Sequence, residues 1–191
     1  VDAVNLSSYA GLLALCLLTL NILLGLLVSV RYQTKKRFPY RQINIFKIHN
    51  WTGYTALCVA LLHPMLLLLS KTAGFRLFDI AFPVWSPTQP LVNTLGAAAL
   101  YCLVLVVVTS YYRVEIGRRL WKRLHYVAYA AAALFFIHGL LTDPNLKNRP
   151  FDPFDAEKVL VETCLLLVIV GIVWRVKYAF RTSSKDQKTF A

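Results

Sequence analysis

The chain alternates between five long apolar runs and short polar, charged segments. A bilayer's hydrocarbon core is about 30 Å thick and takes roughly 20 apolar helical residues at about 1.5 Å each to cross. Runs of that size extend from about Tyr9 to Val30, Ile48 to Leu69, Leu91 to Tyr111, Leu124 to Leu141 and Val159 to Val176. They predict an all-α integral membrane bundle of five transmembrane helices. Residues 1–178 would form a single transmembrane domain and residues 179–191 a short basic cytoplasmic tail. The first run is too long for a signal-peptide core, lacks a small-residue cleavage site and carries its positive charge after the apolar stretch. It is therefore read as a retained helix.

Composition agrees: 58% of residues are hydrophobic, 16% are charged, and mean hydropathy is +0.55. The net charge of +12 would suit a nucleic-acid binder, but its placement gives it another meaning. Arg31, Lys35, Lys36, Arg37, Arg41 and Lys47 fall between runs one and two. Arg113, Arg118, Arg119, Lys122 and Arg123 fall between three and four, and Arg175, Lys177, Arg181, Lys185 and Lys188 close the chain. Cations concentrated in alternate loops mark the cytoplasmic side. The loops with Lys71, Arg76, Lys147 and Arg149 and most of the acids (Asp79, Asp143, Asp152, Asp155, Glu157) then face outward. The N-terminus is expected outside and the C-terminus inside, with no role for nucleic acid.

Cys16, Cys58, Cys102 and Cys164 are scattered through apolar surroundings without a C-x-x-C or C-x-x-C-H. That spacing excludes covalent c-type haem and an iron–sulfur cluster and leaves small packing residues. No Gly-rich phosphate loop, G-x-S-x-G, H-E-x-x-H or internal sequence repeat stands out.

All four histidines lie on the second and fourth runs, His49 and His63 14 residues apart and His125 and His138 13 apart. An ionisable side chain at membrane depth is costly and by default functional, and neutral imidazole is a common haem ligand. Both runs point outward, so His49 and His125 share the inner end, and His63 and His138 lie about 20 Å further across. Each level offers two imidazoles, too few for a structural zinc site. Haem needs only two axial ligands, and its apolar body suits a space lined by Ala60, Leu67, Ala131, Ala132 and Leu134. The predicted sites are an inner pair, His49 with His125, and an outer pair, His63 with His138, on the iron of two haems b. At about 100° per residue, 14 steps return to within about 40° of the start but 13 end about 140° away. Imidazole rotamers, a π-bulge or a tilt would have to absorb the difference, and Pro64 predicts a kink in the second helix.

The stretches I-H-N-W-T-G-Y-T-A-L-C-V-A-L-L-H-P at 48–64 and G-R-R-L-W-K-R-L-H-Y-V-A-Y-A-A-A-A-L-F-F-I-H-G at 117–139 resemble the ferric-reductase-like transmembrane family. That family includes NADPH oxidases, yeast-type ferric reductases and the membrane subunit of bacterial periplasmic methionine sulfoxide reductase. The resemblance spans roughly residues 45–175 and implies electron transfer through haem b, from a reductant inside to an acceptor outside. The 14 and 13 spacings are similar to the oxidase branch. The second stretch is similar to the methionine sulfoxide reductase subunit, which lacks a histidine at the position of His49. Family members commonly have six helices, so the first of them is expected to be missing here. The flavin and NADPH dehydrogenase domain of the oxidases is also expected to be missing, so electrons would come from a separate flavoprotein, a quinol or another subunit of a complex. The expected location is the bacterial inner membrane.

On that reading one or more of Arg118, Arg119, Lys122 and Arg123 would meet haem propionates at the inner end, with Lys71 and Arg76 the outer counterparts. Glu162 would serve proton movement or simply reach water. Trp51, Tyr54, Trp121, Tyr126 and Tyr129 would flank the haems or anchor the interfaces. The acidic, proline-containing segment 143–155 would dock a partner or cap the outer haem. Two alternatives stay open: a small cytochrome b subunit of a respiratory or photosynthetic complex exchanging electrons with quinone, and a haem-free protein using the histidines for proton or metal passage.

Overall fold

The computed structural model describes residues 2–30, 44–71, 73–143, 146 and 152–189, with side chains up to residue 181. Every long element is helical and no strand occurs among the described residues. The helices are α1 (Ala3–Ser29), α2 (Ile45–Leu67), α3 (Leu77–Ala81), α4 (Pro90–Tyr111), α5 (Arg118–His125), α6 (Val127–Leu141) and α7 (Ala156–Thr189), with a single 3-10 turn at Pro83–Trp85.

Local chemistry sets several boundaries. The Asn44 side chain accepts from Lys47 N–H at 3.0 Å, an N-cap that starts α2 ahead of its apolar run. Gln89, at φ 46°, turns the chain into α4, whose first residue is Pro90. Gly117, at φ 79°, takes a conformation open to glycine immediately before α5. Neither α3 nor the 3-10 turn follows from an apolar run. The Asp79 carboxylate accepts from Arg76 N–H at 2.8 Å to start α3, and Tyr101 on α4 donates its hydroxyl hydrogen to Ala81 O.

Four helices are long and apolar enough to cross a membrane: α1, α4, the combined α5–α6 stretch Arg118–Leu141, and α7. The fifth expected span, α2, has the length at 23 residues, but His49, Asn50, Thr52, Thr55, His63 and Pro64 dilute its hydropathy. α7 runs unbroken to Thr189 over 34 residues, about 50 Å, which is longer than a bilayer core needs.

The long helices close a ring in which α1 touches α2, α2 touches α4, α4 touches α6, α6 touches α7 and α7 returns to α1. A buried apolar cluster of Leu15, Phe136, Val161, Cys164 and Val168 joins α1, α6 and α7. Large apolar side chains such as Leu105, Val108, Leu166, Val170 and Val173 remain exposed on the outer faces, as lipid-facing surfaces require. The chain is an integral membrane protein.

Candidate functional site

The ring encloses a cavity of about 900 Å³, at the upper end of ordinary ligand pockets, and all four imidazoles line it. His49 and His125 face each other with ring centroids 6.4 Å apart, and so do His63 and His138, also at 6.4 Å. Each pair joins α2 to the α5–α6 stretch across the cavity.

The geometry behind the rings carries more information. His49 Nδ1 lies 3.1 Å from Asn21 O, His63 Nδ1 2.7 Å from Ser7 O, and His138 Nδ1 2.9 Å from Val92 O. A carbonyl only accepts, so each of these nitrogens carries the hydrogen, and in the neutral ring Nε2 keeps its lone pair. That arrangement orients imidazole for a metal. His125 differs: its Nδ1 lies 3.1 Å from the hydroxyl of Ser110, and that hydroxyl oxygen accepts from Trp121 Nε1 at 3.3 Å.

Helix α1 locks α2 from both directions. Ser7, buried to 1% exposure, donates its hydroxyl hydrogen to His63 O at 2.8 Å while its own carbonyl takes the ring. Asn21 repeats this arrangement, donating Nδ2–H to His49 O and to Thr52 Oγ1 at 2.8 Å. Four residues beyond each acceptor stands a glycine against the imidazole. A Cβ on Gly11 would sit 3.1 Å from His63 Cε1, on Gly25 3.2 Å from His49 Cε1, and on Gly96 2.8 Å from His138 Cε1. Ser7 and Asn21 are 14 residues apart, as are Gly11 and Gly25, matching His49 and His63 on the antiparallel partner. This is an internal repeat that the sequence did not suggest.

The 13-residue spacing on the other strut meets a local adjustment. Tyr126 N–H bonds Arg123 O at 3.2 Å and Tyr129 N–H bonds Tyr126 O at 3.1 Å, both over three residues. Such tightened turns rotate about 120° per residue and so recover part of the missing angle, whereas a π-bulge would have unwound the helix.

The remaining expected residues separate clearly. Ala60, Leu67, Ala131 and Ala132 line the cavity, and Leu134 does not. Of the basic cluster, Arg118 and Lys122 line it and Arg119 and Arg123 do not; Arg113 and Arg175 join them. Arg113 also lies 5.0 Å from the Phe46 ring centre, tying the start of α2 to the end of α4. Lys71 and Arg76 are exposed and off the cavity wall. The cation lining the His63 end is Lys158, which sequence reasoning passed over. It is buried, and its Nζ donates to Gly139 O at 3.0 Å and to Thr142 O at the end of α6. Glu162 is exposed and lies off the cavity wall. Tyr54, Trp121, Tyr126 and Tyr129 line it, and Trp51, 63% exposed, does not.

All four cysteines are free thiols; Cys164 is buried, Cys16 and Cys58 are exposed, and Cys102 is half-buried. Among the described residues no three His, Cys, Asp or Glu come together as a metal-ion cluster. Arg31, Lys35, Lys36, Arg37 and Arg41, and Lys147, Arg149 and most of the segment 143–155, lie outside the described residues.

The fold and the site are thus a membrane helical ring with paired imidazoles facing a common cavity. The chain's family follows from direct comparison: residues 10–136 match the model of the ferric reductase like transmembrane component, and the chain belongs to that family. Domains of this type typically bind haem and transfer electrons across membranes. Neither the curated proteins nor the solved structures yielded a match to the chain.

Proposed function

We propose that the chain holds two haems b, one between His49 and His125 and one between His63 and His138, and passes electrons between the two membrane faces. The observation that carries this reading is the orientation of the imidazoles. Three of the four Nδ1 atoms are bonded to main-chain carbonyls, which leaves Nε2 as the ligating atom. Spacing supports it. A metal–nitrogen bond is about 2 Å, and a ring centroid lies about 1.1 Å behind its nitrogen, so two axial imidazoles hold centroids about 6.2 Å apart. Both observed separations are 6.4 Å. A bound haem supplies a one-electron iron couple. The protein's own contribution is to fix the ligands, line the porphyrin space with small apolar residues and offer cations to carboxylates.

By the positive-inside rule the His49–His125 end, with Arg113, Arg118, Lys122 and Arg175, faces the cytoplasm, in a bacterial inner membrane. Electrons enter there from a separate flavoprotein or a quinol and leave to an acceptor at the outer face. The test is a reduced-minus-oxidised spectrum with haem quantified as pyridine haemochromogen. A b-type spectrum with about two haems per chain is expected; one haem or none overturns the assignment. Stable co-purification with quinone-reactive subunits would move it to the cytochrome b alternative.

A further inference from the structure

Glycines 11, 25 and 96 mark three places where an imidazole seats against a neighbouring helix. The fourth place is occupied differently. Gly96 plus 14 residues, the interval that separates Gly11 from Gly25, is Ser110. There the side chain fills the notch, and its hydroxyl takes over the carbonyl's work, lying 3.1 Å from His125 Nδ1. Val106 O, in register with the Val92 carbonyl that serves His138, accepts instead from the Thr109 hydroxyl at 3.3 Å. Ser110 is also tied on its other sides, accepting from Trp121 Nε1 at 3.3 Å through Oγ and from Arg113 Nη1 at 3.3 Å through its carbonyl.

We propose that Ser110 is the positioning residue of the inner pair: its hydroxyl, in place of a main-chain carbonyl, accepts the Nδ1 hydrogen of His125 and thereby sets the potential of the inner haem apart from the outer. This rests on the di-haem reading. An acceptor behind a ligating imidazole raises its basicity and favours the ferric ion. Three of the acceptors belong to the backbone and persist whatever the side chain. At Ser110 the acceptor is one oxygen atom that a substitution can remove while the Cβ, and with it the filled notch, stays in place.

The experiment is potentiometric titration with low-temperature EPR of the purified full-length holoprotein and of Ser110→Ala and Ser110→Thr. His125→Ala identifies which midpoint and which ferric signal belong to the inner haem. Ser110→Ala is expected to raise the inner midpoint potential and move the inner low-spin signal, with the outer haem unchanged and haem content still about two per chain. Ser110→Thr, which restores the hydroxyl, should return both values. An inner potential in Ser110→Ala equal to that of the parent overturns this inference and leaves the di-haem reading standing, whereas a parent with fewer than two haems overturns both. If Ser110→Ala loses the inner haem altogether, retention by Ser110→Thr supports the role of the hydroxyl, and loss there as well overturns it.

Discussion

At the end proposed as outer, His63 and His138 each donate to a main-chain carbonyl, at 2.7 and 2.9 Å, while at the end proposed as inner His49 Nδ1 lies 3.1 Å from a carbonyl and His125 Nδ1 3.1 Å from a hydroxyl. The rings themselves face one another at the same 6.4 Å in both places. Surroundings differ too: Arg113, Arg118, Lys122 and Arg175 line the His49–His125 end, while among the described residues the cation lining the His63–His138 end is the buried Lys158, fastened to the carbonyl end of α6. On the proposed di-haem reading, identical ligand pairs would be given separate properties by the groups behind them, because second-shell bonding, charge and burial are the levers a protein has over a haem.

The largest effect that would break this comparison is loss of one site. His138→Ala should lower haem content from about two per chain to about one, read as haemochromogen, with the inner spectrum retained; loss of both would mean that the pairs do not bind independently. Next is Gly96→Ala, whose Cβ would fall 2.8 Å from His138 Cε1. Overpacking of this kind costs about 1–3 kcal/mol. Outer haem occupancy and melting temperature in Gly96→Ala should therefore drop further than inner haem occupancy and melting temperature in Gly25→Ala, where the Cβ would lie 3.2 Å from His49 Cε1. Equal behaviour of the two variants would remove the graded fit from the picture. Asn21→Ala comes third: it deletes two side-chain hydrogen bonds at the inner end, worth about 1 kcal/mol each. It leaves the carbonyl that serves His49, so thermal stability should fall while the haem spectrum persists. Smallest is Glu162→Gln, on an exposed face away from the cavity. Stability should stay within about 0.5 kcal/mol and the reduction rate should be unchanged; a slower rate would restore the residue to the electron or proton path.

Much of the site was legible from residues that are rare in lipid. Four histidines on two helices expected to run the same way are enough to predict which pairs can meet, since an ionisable ring at membrane depth has few neutral explanations. The braces behind them were hidden for a physical reason. Three of the four acceptors are backbone atoms, which leave no signature in a side-chain alphabet, and Ser7 and Asn21 perform one role with different residues. The glycines did carry a signal in their 14-residue interval on α1, but glycine in an apolar run reads as generic helix packing. Lys158 was passed over because a lysine beside acidic residues near a loop suggests solvent, whereas here the carbonyls ending α6 draw it inward. The same polar inventory explains why α2 falls short in hydropathy: the helix that carries His49 and His63 is the least suited to lipid on its own, and it depends on α1 for cover.

The reliance on main-chain acceptors has a consequence for how such a protein can change over generations. A carbonyl is encoded by no particular codon, so His49, His63 and His138 keep their orienting partners through any substitution that preserves the helix. Ser110 is one codon step from several alternatives. Variation in the bond behind a proposed ligand is therefore channelled to Ser110, while the three carbonyl bonds are inherited almost as a fixed part of the helical frame.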